Sequence, residues 1–235
     1  MKYLPLTLLA LYGLSLFFNA GVSEVVDTQL VAPRLVALTF DDGPWPETTE
    51  RLLDGLQERG VKATFFLIGE QVEAMEDVVL RMAGEGHQIG NHTWSHVRLD
   101  QTSFAAGLEE LEKTDNVLSN LLGEGEYWIR PPWGFISEEL RGAVDVPLIH
   151  WSVDPEDWRV LDSGKVHSAV CKAAPAGDIV LLHDTYMSSV EAALAIVDAL
   201  AAEGVTFVTV EELFAQCGEE PELGLLYERP GKTRK

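Results

Sequence analysis

Cysteine is scarce in this chain, and positive charge is outweighed. Only Cys171 and Cys217 occur among 235 residues, so one disulfide is the most the chain can hold. The even count permits that bridge in an oxidising compartment, but sequence separation does not give spatial distance. Neither cysteine lies near another ligand-type residue, so no thiolate metal site is expected. Lys and Arg total 17 against 38 Asp and Glu, a formal net charge of −21. A nucleic-acid partner favours a basic face and anionic lipid a basic patch, so both are disfavoured. The acidity reads as a solvated surface rather than a device for steering substrate. Internal repeats are missing, as is any linker rich in Pro, Gly or Ser, which points to one domain.

A long apolar run is missing too. The stretch Leu4 to Phe18 is almost wholly apolar, but it falls short of the roughly 20 residues of a membrane span. It follows Lys2 and precedes the small residues Ala20 and Gly21. That pattern predicts a signal peptide over residues 1–20, with an uncleaved anchor as the alternative. Residues 21–34 read as a lead-in, 35–217 as the folded domain, and 218–235 as a polar, flexible tail ending in Lys232-Thr233-Arg234-Lys235. The composition, 46% hydrophobic and 23% charged, supports a full core.

Seven short apolar runs punctuate the domain: Leu35 to Phe40, Ala63 to Ile68, His87 to Gly90, Tyr127 to Ile129, Pro147 to Val153, Ile179 to Leu182 and Thr206 to Val210. Helical patterns separate most of them. These run from Pro46 to Arg59, Gln71 to Ala83, Ser103 to Leu122, Asp162 to Ala174, Ser188 to Ala202 and Glu211 to Gln216. In the third, Phe104, Leu108, Leu111, Leu118 and Leu122 are expected to share the buried face. Alternating strand and helix implies parallel strands joined by crossovers, in a barrel or an open doubly wound sheet.

Polar residues collect at the ends of these runs. Asp41 and Asp42 follow the first, Asn91, His92, Thr93 and His96 the third, Arg130 the fourth, Asp154 and Asp157 the fifth, and His183 and Asp184 the sixth. In parallel α/β folds the C-terminal strand edge carries the active site. Alternation means that Asp41 and Asp42 cannot face the same way if the strand stays regular. His92 and His96 are four residues apart, a spacing that one helical turn would bring to one face. Two His and one carboxylate make a catalytic type of zinc site with open positions, which also suits cobalt, nickel or manganese. Asp42 is the expected carboxylate ligand. That leaves Asp41 free as general base, Arg130 to keep it ionised, His183 as general acid, and the backbone N–H of Trp133 to face a developing oxyanion.

Five motifs occur in order: Thr39-Phe40-Asp41-Asp42-Gly43, His92-Thr93-x-x-His96, Arg130-Pro131-Pro132-Trp133, Asp154-x-x-Asp157-Trp158 and Leu181-x-His183. Together they resemble those of the polysaccharide deacetylases, the NodB-homology domain of carbohydrate esterase family four, over nearly all of residues 33–216. The resemblance implies a distorted (β/α)7 barrel and metal-dependent removal of N-acetyl groups from amino sugars. It implies that Asp157 pairs with the catalytic acid His183, and that Leu181 and Trp158 wall the acetyl methyl. Many members carry Tyr where Trp133 stands. The implied partner is an N-acetylated polysaccharide or oligosaccharide such as peptidoglycan or chitin, taken by an exported monomer. O-deacetylation of xylan and a non-catalytic glycan-binding barrel are the alternatives.

Overall fold

Strand β1 (Arg34–Asp41) is the axis of the structure, and all but its first residue are buried. The computed structural model describes residues 33–174 and 176–234; the expected signal peptide and most of the lead-in lie outside them. After β1 come helix α1 (Thr48–Arg59), strand β2 (Thr64–Leu67), helices α2 (Gly69–Ala74) and α3 (Glu76–Gly84), and strand β3 (Gln88–Asn91). Helices α4 (Phe104–Leu122) and α5 (Glu138–Arg141) lead to the two-residue strand β4 (Leu148–Ile149). Then follow α6 (Asp157–Val160), α7 (Ser163–Ala173), β5 (Asp178–His183), α8 (Met187–Ala202), β6 (Val205–Phe207) and α9 (Val210–Cys217). The chain closes with β7 (Leu226–Arg229) and β8 (Lys232–Arg234).

The order β3-β2-β1-β5 is parallel throughout, and β6 joins the N-terminal end of β1. The ring closes through single bridges. Ile129 links Asn91 to Leu148, and Val153 links the fifth run to Val180 of β5. The result is an α/β barrel of parallel strands, distorted because two of its staves hardly qualify as strands. The run at Tyr127–Ile129 forms only bridges; Arg130 still donates its N–H to the Asn91 carbonyl, and Pro131 and Pro132, which cannot donate to a ladder, end the pairing after it.

Caps set the helix limits. Ser103 accepts from the Ala106 N–H at the start of α4, and Asp162 from Lys165 N–H at α7. Thr209 and Glu212 form a reciprocal capping box on α9. Gly60 ends α1 at φ 62°, in the left-handed region where glycine carries no Cβ penalty. The expected single helix over Gln71–Ala83 is instead two, broken at Met75, whose φ/ψ of −139°/48° is non-helical and whose side chain packs on the core. The buried stripe of α4 also differs from expectation. It runs Gly107, Leu111, Thr114, Leu118, while Phe104 stays 37% exposed. Gly107 lies against the Leu140 side chain, so the helix approaches α5 along its small residues.

The segment 218–235, expected to be a flexible polar tail, carries structure instead. Strand β7 pairs parallel to β4, β8 returns antiparallel to it, and Leu226 and Tyr227 are buried against β4 and α9. The two buried apolar side chains are a signal too short to register against their polar neighbours, and contacts such as Arg229 to Asp178 add to the anchoring. Cys171 and Cys217 are both free thiols. Among the described residues, no helix is long and apolar enough to cross a membrane.

Candidate active site

The strand register brings the first pair of polar groups together. Asp41 and His183 are lateral Cα partners at the C-terminal ends of β1 and β5. Asp41 is 3% exposed. The chain leaves the strand at Asp42, whose φ of 74° is left-handed. Regular alternation therefore stops between the two carboxylates, and both line the same cleft. His92 and His96 reach that cleft from the loop after β3. This loop is not the helical turn suggested by their spacing: Thr93 and His96 take φ values of 66° and 57°. Asn91 shapes the loop by accepting the Thr93 N–H at 2.8 Å.

Arg130 is fully buried behind the cleft and makes three directed contacts. Its Nη1 donates to Asp41 Oδ1 at 2.7 Å and to Thr39 Oγ1 at 2.6 Å, and its Nη2 donates to the His150 carbonyl at 2.8 Å. Its guanidinium carbon lies 4.1 Å from the centroid of Phe66. Thr39 in turn donates to the Val180 carbonyl at 2.7 Å. Burial lowers the Arg130 pKa, opposed by the charge of Asp41. A guanidinium still stays charged there, since its ordinary value is above 12. Sequence reading missed Thr39, although it lies two residues before Asp41 and so shares its face.

Asp42, His92 and His96 offer ligand atoms that all lie within 4.8 Å of one another. The Nε2 atoms of His92 and His96 face Asp42 Oδ1 at 3.4 and 3.2 Å. That oxygen is buried and accepts no well-formed hydrogen bond. Nδ1 of His92 is 2.6 Å from the Arg130 carbonyl, so Nδ1 carries a proton there and Nε2 is the ring atom turned to Asp42. Burial works against the charge of Asp42, but the facing imidazoles of His92, His96 and His183 outweigh it and hold its pKa at about 2. Burial, and then the neighbouring His92, pushes His96 down. Metal binding calls for a deprotonated carboxylate and imidazole nitrogens free of their protons, and these three side chains converge closely enough to supply that donor set.

His183 faces the same space. Its Nδ1 donates to Asp157 Oδ1 at 2.8 Å, and its backbone N–H donates to Asp157 Oδ2, also at 2.8 Å. Asp157 is wholly buried behind His183 and does not line the cleft itself. Burial opposes the imidazolium, but the hydrogen bond and charge of Asp157 prevail and raise His183 to about 9.

The cleft encloses about 640 Å³. Trp133, Trp158, Leu181 and Asp154 line it, and Trp133 and Trp158 are half exposed. Trp133 sits at φ 54° in a single 3-10 turn, its ring 4.2 Å from that of His96. Trp45 belongs to the wall, but Trp94 does not. Trp94 packs beside Gly69 with Lys113 Nζ 3.6 Å from its ring centroid. Phe135, Trp151 and Tyr186 also line the cleft, and no motif or spacing marked them.

A profile described as polysaccharide deacetylase matches residues 29–145. The chain is 37% identical over 180 residues to the peptidoglycan-N-acetylmuramic acid deacetylase PdaC of Bacillus subtilis, covering 77% of this chain and 38% of that protein. It is 39% identical over 186 residues to a peptidoglycan-N-acetylglucosamine deacetylase of Bacillus cereus, covering 76% of this chain and 68% of the relative. The chain thus spans under half the length of the first of these. Among solved structures, a family 4 acetyl xylan esterase from Clostridium thermocellum in complex with a cobalt ion superposes with a TM-score of 0.80 at 32% identity. That match covers 85% of this chain and all of the other.

Proposed function

Because the chain belongs to the polysaccharide deacetylase family, we propose that it is a metal-dependent hydrolase that removes N-acetyl groups from an amino-sugar glycan and releases acetate. The observation that carries this reading is the convergence of two separate sets of groups in one cleft. One is a ligand set, Asp42, His92 and His96. The other is an acid and base pair, His183 and Asp41, each held by its own buried partner.

A divalent ion at the ligand set supplies a Lewis acid for the acetamide carbonyl and favours ionisation of a water. The side chains do the rest. Asp41, oriented by the Arg130 Nη1 that donates to its Oδ1, takes a proton from the attacking water. The Trp133 N–H, presented by the turn after Pro131 and Pro132, donates to the oxygen that becomes negative. His183, protonated near neutral pH and held by Asp157, gives its proton to the departing sugar amine. Trp158 and Leu181 give the acetyl methyl an apolar wall. The two His and one carboxylate favour zinc, and the cobalt in the similar esterase supports a site that accepts other transition metals.

Peptidoglycan, chitin or a chito-oligosaccharide is the substrate we favour, because the similar bacterial enzymes carry peptidoglycan deacetylase names. Export fits that substrate and the apolar stretch Leu4 to Phe18. O-deacetylation of xylan is the second reading, supported by the similarity to the acetyl xylan esterase. The test is acetate release from chito-oligosaccharides, peptidoglycan and acetylxylan, after chelation and again after adding zinc or cobalt. Release from the N-acetyl glycans that is lost on chelation and restored by metal is the expected outcome. Activity that survives complete chelation refutes metal dependence, and release from acetylxylan alone favours the second reading.

A further inference from the structure

Asp184 follows the proposed acid, yet its side chain points away from the chemistry. It is wholly buried beneath the turn that carries Asp42. The Thr49 hydroxyl donates to Asp184 Oδ2 and accepts the Trp45 N–H at 2.7 Å. Thr49 is itself wholly buried, in the first turn of α1. On the other side, Gly43 packs so closely that a Cβ there would lie 2.5 Å from Asp184 Oδ2. A backbone segment of four residues, Asp42 to Trp45, is therefore gripped at both ends of its inner surface by one carboxyl and one hydroxyl. The Asp184 Oδ1 atom is buried and takes no hydrogen bond.

We propose that Asp184 and Thr49 are positioning residues that hold the Asp42–Gly43–Pro44–Trp45 turn, and with it the Asp42 carboxylate, in the orientation that meets His92 and His96. This rests on Asp42 being a metal ligand, as proposed above. The Asp184 carboxyl is pushed up to about 7 by burial, with the Thr49 hydrogen bond opposing and the Asp42 charge adding to the rise.

The test is zinc affinity, measured by competition with a chromophoric chelator, alongside the melting temperature of the metal-free protein. Thr49→Val is expected to weaken zinc binding about 10-fold, the low end for groups that orient a metal ligand, and Thr49→Ser to restore it. Gly43→Ala should weaken binding in the native background and have no further effect on top of Asp184→Ala, because the two side chains then no longer collide. Zinc affinity within twofold of wild type in Thr49→Val, or full additivity of Gly43→Ala with Asp184→Ala, overturns the proposal. If the wild-type protein itself fails to take zinc or cobalt, it is the metal reading that fails.

Discussion

Replacing Asp157 by Asn isolates the electrostatic half of the proposed acid. His183 is only 13% exposed on its side chain and has a pKa near 9, against an ordinary 6.5. At 1.36 kcal/mol per pH unit, the surroundings favour the imidazolium by about 3 kcal/mol. Burial alone acts in the opposite direction, so the rise comes from carboxylates, chiefly Asp157. The amide of the Asp157→Asn variant keeps the shape and one acceptor but loses the charge. The His183 pKa should then fall to 6.5 or below. A general acid must be protonated, so turnover should decline above that value instead of near 9. At pH 7.5 at most about a tenth of the variant carries the proton, which predicts at least about a 10-fold loss, largely recovered near pH 5.5. A bound cation beside Asp42 lowers His183 in both proteins, so the displacement between the two alkaline limbs is the quantity to read. The assay is acetate release against pH, with wild type and Asp157→Asn loaded with the same metal. Coincident alkaline limbs would refute the reasoning. Stability gives a second check. Because the folded pKa is raised, the contribution of His183 is fully present below pH 6.5 and is lost as pH rises through 9. The metal-free wild type should lose melting temperature over that window, and Asp157→Asn should not.

Asp41→Asn should cut turnover by roughly 10²–10⁴-fold while zinc affinity stays close to wild type, since the base and the ligand are different residues; undiminished acetate release would remove Asp41 from that role. Arg130→Met leaves Asp41 buried without its counter-charge and should destabilise the fold by about 3–5 kcal/mol, read by urea unfolding. Leu226→Ala tests whether the C-terminal strands belong to the fold: an unfolding penalty of about 2–5 kcal/mol is expected for this 1% exposed residue, against none for a frayed tail.

Much of the site was legible because its parts are local. Asp41-Asp42-Gly43, His92 with His96, and Leu181 with His183 each end an apolar run. A parallel α/β fold gathers strand ends on one edge regardless of the order of its strands. Chain position and residue type were enough for that. What local sequence does not encode is contact between distant segments. Thr39 bonds to Arg130 across 91 positions and Thr49 to Asp184 across 135. The aromatic wall draws Phe135, Trp151 and Tyr186 from three loops.

Composition and periodicity by themselves determined the class of this protein: alternating strands and helices, a carboxylate pair at a strand end, and imidazoles and an arginine at neighbouring ends. Tertiary structure decided how those groups divide the work. Strand alternation alone would have turned Asp42 away from Asp41. The left-handed backbone at Asp42 keeps both in the cleft, with Asp41 against Arg130 and Asp42 against the two imidazoles. It also made a pair of strands from residues that read as a loose end, because β7 finds a partner edge in β4 and buries Leu226 and Tyr227. Both outcomes rest on long-range packing and on φ values that most side chains avoid. Neither leaves a periodic trace in the sequence.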